Sequence, residues 1–80
     1  MQFALAGDMP YATNEELPPT VRAHLPEHAL DIYREAFNHA YDRYPHTDEG
    51  RIHRIAWAAV KRVYEKIAGQ WVRRDVWRHP

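Results

Sequence analysis

The sequence predicts a mainly α-helical fold: a small helical domain with a two-helix hairpin, a short helix before it and a minor β pairing of the terminal segments. Three observations carry this prediction. Apolar residues recur at steps of three and four through 26–44 and again through 49–67, prolines stand where helices should open or stop, and aromatic and β-branched residues gather near the end of the chain. Eighty residues suit one domain with one core, and an apolar content of 45% with 12% aromatics is enough to fill it.

The elements follow in order. Met9 to Asn14, MPYATN, alternates weakly around Pro10 and reads as extended chain or a short edge strand. Pro18 and Pro19 open a short helix over about Pro19 to His24, because proline suits a first helical turn, and Pro26 turns the chain at Leu25. A long helix then runs from Pro26 to about Tyr44, with Ala29, Ile32, Tyr33, Ala36, Phe37, Ala40 and Tyr44 on one face and Pro45 as its stop; Asp42 and Arg43 face solvent. Thr47 is the expected N-cap of the next helix, whose first turn carries Asp48 and Glu49. Its stripe is Ile52, Ile55, Ala56, Ala59, Val60, Val63 and Ile67, and Gly69 stands where a left-handed C-terminal cap belongs. Trp57 and Tyr64 lie on one flank of this helix and cover its seam with the preceding one. Trp71, Val72, Val76 and Trp77 favour extended structure, with the Met9 to Thr13 segment as the expected strand partner. Ile32, Phe37, Ile55, Val60 and Val63 form the expected core.

Charge and composition exclude several functions. Eleven basic and eleven acidic residues cancel, so no net field steers the molecule, although the last thirty residues are locally basic: Arg51, Arg54, Lys61, Arg62, Lys66, Arg73, Arg74 and Arg78 stand against Glu65 and Asp75. The longest apolar run, Ile55 to Val60, is far short of the ~20 residues that span a bilayer, so no membrane insertion is expected. The chain has no cysteine, which leaves no disulfide framework or thiolate metal site and fits a cytoplasmic location.

Chemistry-bearing residues are present without a catalytic pattern. Of six histidines, His24 and His28 are separated by Pro26, His39 and His46 straddle Pro45, His53 stands alone on a helix and His79 lies in the tail; none completes a metal site, and no HExxH occurs. His28 and His53 read as packing residues whose ring nitrogens find backbone or carboxylate partners. The paired acids Glu15 with Glu16 and Asp48 with Glu49 sit at helix starts, where the dipole accounts for them. Serine and cysteine nucleophiles are absent, Thr13, Thr20 and Thr47 have turn or capping roles, and the three glycines form no phosphate-binding run. A non-enzyme without cofactor or metal is expected. The tail stands apart: Trp71, Arg73, Arg74, Trp77 and Arg78 interleave aromatic and basic side chains. Such a set can seat a protein partner or stack on single-stranded nucleic acid, or Trp71 can fold back on the helices with the arginines solvated.

Several linked motifs also resemble the ChaB family, small bacterial and viral proteins described as regulators of cation transport. They are MPY at Met9 to Tyr11, LP at Leu17 and Pro18, LPEHA at Leu25 to Ala29, IYREAFN at Ile32 to Asn38 and IAWAAVK at Ile55 to Lys61, with Tyr64, Trp71 and Val72 also fitting. The resemblance runs from Met9 to about Trp71. It implies a helical cytoplasmic domain associated with a calcium or sodium/proton antiporter, acting through the transporter's cytoplasmic face. It also implies that 1–8 are a non-family N-terminal extension and 9–80 the ChaB-like domain. ChaB-like domains occur beside Rho N-terminal-type segments and in viruses too, a context that leans toward nucleic acid. The connection from Tyr44 to Arg51 is shorter than the charged insertion common in relatives.

The resulting expectation is a non-enzymatic adaptor that regulates a cation/proton antiporter through protein–protein contact, with Trp71, Arg73, Arg74 and Trp77 as the partner-binding residues. The alternative is a nucleic-acid-binding module using the same basic aromatic segment.

Overall fold

The computed structural model describes residues 10–74. A single 3-10 turn at Asn14–Glu16 leads into α1 (Pro19–His24), α2 (Glu27–Arg43) and α3 (Glu49–Val63), followed by β1 (Tyr64–Ile67) and β2 (Gln70–Arg73). Pro19 takes the first position of α1, where its missing N–H removes no helical bond, and Leu25 closes the helix through a bond from its N–H to the Val21 carbonyl at 3.2 Å. Pro26 is extended and caps α2, and its carbonyl accepts from the Leu30 N–H at 2.9 Å. Helix α2 ends at Tyr44, just before Pro45, as the proline requires.

Antiparallel α2 and α3 pack along a seam in which Ala29, Tyr33, Phe37, Ala40, Ile52, Ala56 and Val60 are all buried. Leu17, Val21 and Leu25, at steps of four, add the face of α1 and its approach to the same core. Of the expected core set, Phe37 and Val60 are buried, whereas Ile32, Ile55 and Val63 are half-buried on the flank. Ala29, Ala40 and Ala56 take buried positions on the inner faces of the two helices, and the larger Ile32, Ile55 and Val63 lie at the rim. Tyr44, expected on the buried face, is 40% exposed because the helix ends there, and Arg51 lies over its ring at 5.3 Å.

The structure departs from sequence expectation at both ends of α3. Asp48, not Thr47, is the N-cap: its Oδ1 accepts from the Arg51 N–H at 2.9 Å. A carboxylate there satisfies an orphan donor and faces the positive end of the dipole, which a threonine one residue earlier cannot do. At the other end the helix stops at Val63, and Tyr64–Ile67 is a strand rather than a last helical turn. Gly69 therefore does not cap a helix. Ala68 and Gly69, with φ of 51° and 81°, form the two-residue loop of a β-hairpin, a loop that needs positive φ at both positions. Strand β2 pairs antiparallel with β1 in the register Tyr64↔Arg73, Glu65↔Val72, Lys66↔Trp71 and Ile67↔Gln70. The C-terminal segment does form a strand, but its partner is its neighbour in sequence and not Met9 to Thr13; closing a two-residue loop costs far less entropy than joining the ends of the chain. Pro10 to Thr13 is bent or irregular chain, not a strand. Val76 and Trp77 lie outside the described residues.

Two substitutions test this packing. Phe37 is fully buried, with rings of Tyr11 and His53 at 4.9 and 4.7 Å, so Phe37→Ala should lower stability by ~3 to 5 kcal/mol in urea unfolding. Ala68 bears the steric cost of a left-handed conformation, ~1 to 2 kcal/mol, which glycine avoids at some cost in unfolded-chain entropy. Ala68→Gly should therefore raise the melting temperature by a few degrees, about 0.5 to 1 kcal/mol; a drop would show that the hairpin loop is not as described.

Candidate functional site

The expected partner-binding residues are only partly brought together. Trp71 and Arg73 are on β2, Arg74 follows directly, and Trp77 lies outside the described residues. Trp71 is half-buried: its ring stands 5.8 Å from that of Trp57 on α3, and the Nζ of its cross-strand neighbour Lys66 is 6.0 Å from the ring centroid. Arg74 turns back on the fold, donating from Nε to the Lys61 carbonyl at 2.7 Å and from Nη1 to Glu65 Oε1 at 3.3 Å. Arg73 is exposed. Of the set, Trp71 and Arg74 thus tie the hairpin to α3.

The rings continue inward from Trp71. Trp57 meets Tyr33 edge-on at 5.3 Å, Tyr33 stacks along α2 on Phe37 at 6.4 Å, and Phe37 stacks on Tyr41 at 6.4 Å. Trp57, one of the two residues expected to cover the seam between the long helices, does meet Tyr33 across it. Tyr64, placed by sequence on the helix flank, is instead the first residue of β1 and is buried.

His53 is a half-buried packing residue, whereas His28, expected to pack likewise, is exposed and meets the fold through Tyr64; both have partners other than the expected ones. His53 Nδ1 is hydrogen-bonded to the Tyr33 hydroxyl and His28 Nδ1 to the Tyr64 hydroxyl at 3.1 Å, so phenols rather than carboxylates or backbone groups satisfy both rings. Among the described residues no buried side-chain polar atom lacks a partner, and no group of three or more His, Asp, Glu or Cys is placed to hold a metal ion. Burial pushes the Tyr33 hydroxyl up to about 12, with a smaller contribution from Tyr11, and burial followed by the charge of Glu49 raises that of Tyr11.

Residues that pattern reading missed hold the N-terminal segment against α2. Asn38 makes a reciprocal pair with the Tyr11 backbone: its Oδ1 accepts from the Tyr11 N–H at 3.2 Å and its Nδ2 donates to the Tyr11 carbonyl at 2.7 Å. Asn14 Nδ2 donates to Glu27 Oε2 at 2.9 Å and Asp31 Oδ1 at 2.7 Å, and Asn14 Oδ1 accepts from Arg34 Nε at 2.7 Å. The available signal was asparagine inside a helix, where it is a poor helix former and is expected to have a polar partner. Beside this clamp is an open polar hollow lined by Asn14, Glu15, Arg22, Glu27 and Leu30. A second hollow lies between α2 and α3, lined by Ala36, His39, Ala40, Arg43, Tyr44, Ile55, Ala59 and Arg62.

A helical hairpin closed at one end by a β-hairpin, with its aromatic residues joined into one packed series, defines a small, mainly helical domain. The ChaB family model matches residues 17–74, and the chain belongs to the ChaB family. It is 47% identical over 66 residues to the "Putative cation transport regulator ChaB" of Escherichia coli strain K12, covering 72% of this chain and 87% of that protein, and equally so to the protein of the same name from Shigella flexneri. An NMR solution structure of a protein of that name superposes with a TM-score of 0.70 at 43% identity, covering 81% of this chain and 99% of the other. Among the described residues no helix is long and apolar enough to cross a membrane.

The tyrosine environment gives an alkaline test. Tyr33 is neutral in the folded state to a higher pH than in the unfolded chain, so the fold holds the proton more tightly and its stability is full below pH 10. Stability should fall as pH rises from 10 through about 12, and Tyr33→Phe should flatten that fall. An identical alkaline profile in the variant would show that Tyr33 does not titrate as a buried phenol.

Proposed function

We propose that this chain is a non-enzymatic adaptor that regulates a cation (Ca2+ or Na+)/proton antiporter by protein–protein contact on the cytoplasmic side. The observation that supports the reading most is its family membership, with relatives named as cation transport regulators at 47% identity across most of both chains. The division of its side chains agrees with that role. Packing engages most of the described aromatic residues and His53, leaving a surface of charged and half-buried groups suited to contact with another protein.

The C-terminal hairpin is the proposed contact, through Arg73 on its exposed edge, with Arg74 and Trp71 holding the hairpin in place and Trp77 continuing the same segment. Arginine and tryptophan together are frequent among the residues that dominate binding energy. The nucleic-acid alternative needs Trp71 free to stack on a base, and its ring is engaged by Trp57 and Lys66.

Purified antiporter in detergent, titrated with the labelled chain, tests the reading. Saturable binding is expected, with Arg73→Glu weakening it roughly tenfold or more while the circular dichroism spectrum of the folded chain is retained. Binding that is absent, or indifferent to Arg73→Glu, refutes the proposed contact. In parallel, a single-stranded oligonucleotide should show no affinity that falls steeply between low and high salt, the mark of phosphate contacts.

A further inference from the structure

The two flanks of the helical hairpin are used differently. On α2, Asp31, Arg34 and Asn38, at steps of three and four, take part in the N-terminal clamp, and on α3 His53 and Trp57 face Tyr33. The opposite flanks, Ala36, Ala40 and Arg43 on α2 with Ile55, Ala59 and Arg62 on α3, line a groove with a volume of ≈ 390 Å³ that no described element covers. Its floor is alanine and isoleucine. Its polar lining is cationic or titratable, His39, Arg43 and Arg62, with no carboxylate among the lining residues. Arg43 and Arg62 are exposed and make no ion pair among the described residues. At the end of the groove Arg51 lies over Tyr44, adding another cation.

We propose that this groove is a docking site for an acidic amphipathic helix of a partner protein. Two packed helices present a valley into which a third helix fits, and the alanines of the floor let its backbone come close while its apolar residues fill the space beside Ile55. Carboxylates flanking that apolar stripe meet Arg43 and Arg62, which set its orientation and exclude basic competitors. A second copy of this chain is a poor occupant, because a two-fold interface would set these cations against themselves. Nucleic acid is poorer still, since Tyr44, the larger of the two rings in the lining, already carries Arg51 and leaves only the His39 imidazole to stack on a base. The occupant is defined by its chemistry and not by the antiporter, so this surface stands or falls separately from the hairpin contact proposed above.

The probe is a short synthetic helix of leucine, alanine and glutamate with leucine on one face, titrated into the full-length, isotopically labelled chain and followed by NMR. Saturable shifts at Ala36, Ala40, Ile55 and Ala59 are expected, weakening with salt. The double variant Arg43→Glu/Arg62→Glu should lose roughly tenfold or more in affinity and should gain affinity for the same peptide with lysine in place of glutamate. Ala59→Gln, which obstructs the floor without changing charge, should weaken binding even if charge reversal disturbs the fold. The proposal is overturned if the peptide does not bind, if shifts fall elsewhere, or if the lysine peptide binds wild type equally well. It is also overturned if the groove resonances respond instead to anionic vesicles or to protein concentration alone, which would assign the face to a membrane or to a second copy.

Discussion

A continuous series of rings holds the molecule together. It runs from Tyr41 through Phe37 and Tyr33 along α2, crosses to Trp57 on α3, and reaches Trp71 on β2, with centroid separations between 5.3 and 6.4 Å. Tyr11 and His53 join it at Phe37, so the N-terminal segment, both long helices and the hairpin all touch one aromatic body. In a chain of 80 residues without a disulfide, such contacts matter doubly: each ring buries a large apolar area and its geometry favours one arrangement over others. The polar ends of the buried rings are met as well, Tyr33 by His53 and Tyr64 by His28, so burial leaves no orphaned hydroxyl.

That economy shapes what the surface can do. A tryptophan that looks available in the sequence is engaged on two sides, and an arginine beside it returns to the Lys61 carbonyl and Glu65. Among the described residues, the surfaces proposed to meet other molecules are the exposed edge of the hairpin and the uncovered flank of the long helices. Both are basic, a local consequence of the concentration of lysine and arginine in the second half of an otherwise neutral chain.

The helices were legible because their signals are local. Proline at 19, 26 and 45 and apolar steps of three and four bracket α1, α2 and most of α3 to within a residue or so of the observed limits. The C-terminal end of α3 was not, since Val60, Val63 and Ile67 satisfy a helical period and Gly69 suits a helix cap as well as a hairpin loop. Ala-Gly is also a weaker hairpin signal than Asn-Gly. What decides the matter is tertiary: a strand from Tyr64 buries that ring under His28 and brings Trp71 onto Trp57. The clamp by Asn14 and Asn38, the phenol partners of the histidines and the inward turn of Arg74 all join residues distant in sequence, and no periodicity encodes them. The candidate site was legible in composition, in its basic and aromatic residues, but not in which of them face outward.

The account depends most on the link between Trp57 and Trp71, where the hairpin joins the helices. A double-mutant cycle in urea, comparing Trp57→Ala, Trp71→Ala and the pair, measures that link directly. Coupling of about 0.5 to 1.5 kcal/mol is predicted for two rings in tilted contact that stabilise one fold. Strict additivity, within about 0.3 kcal/mol, would mean that the two rings do not meet and that Trp71 is free to serve a ligand instead.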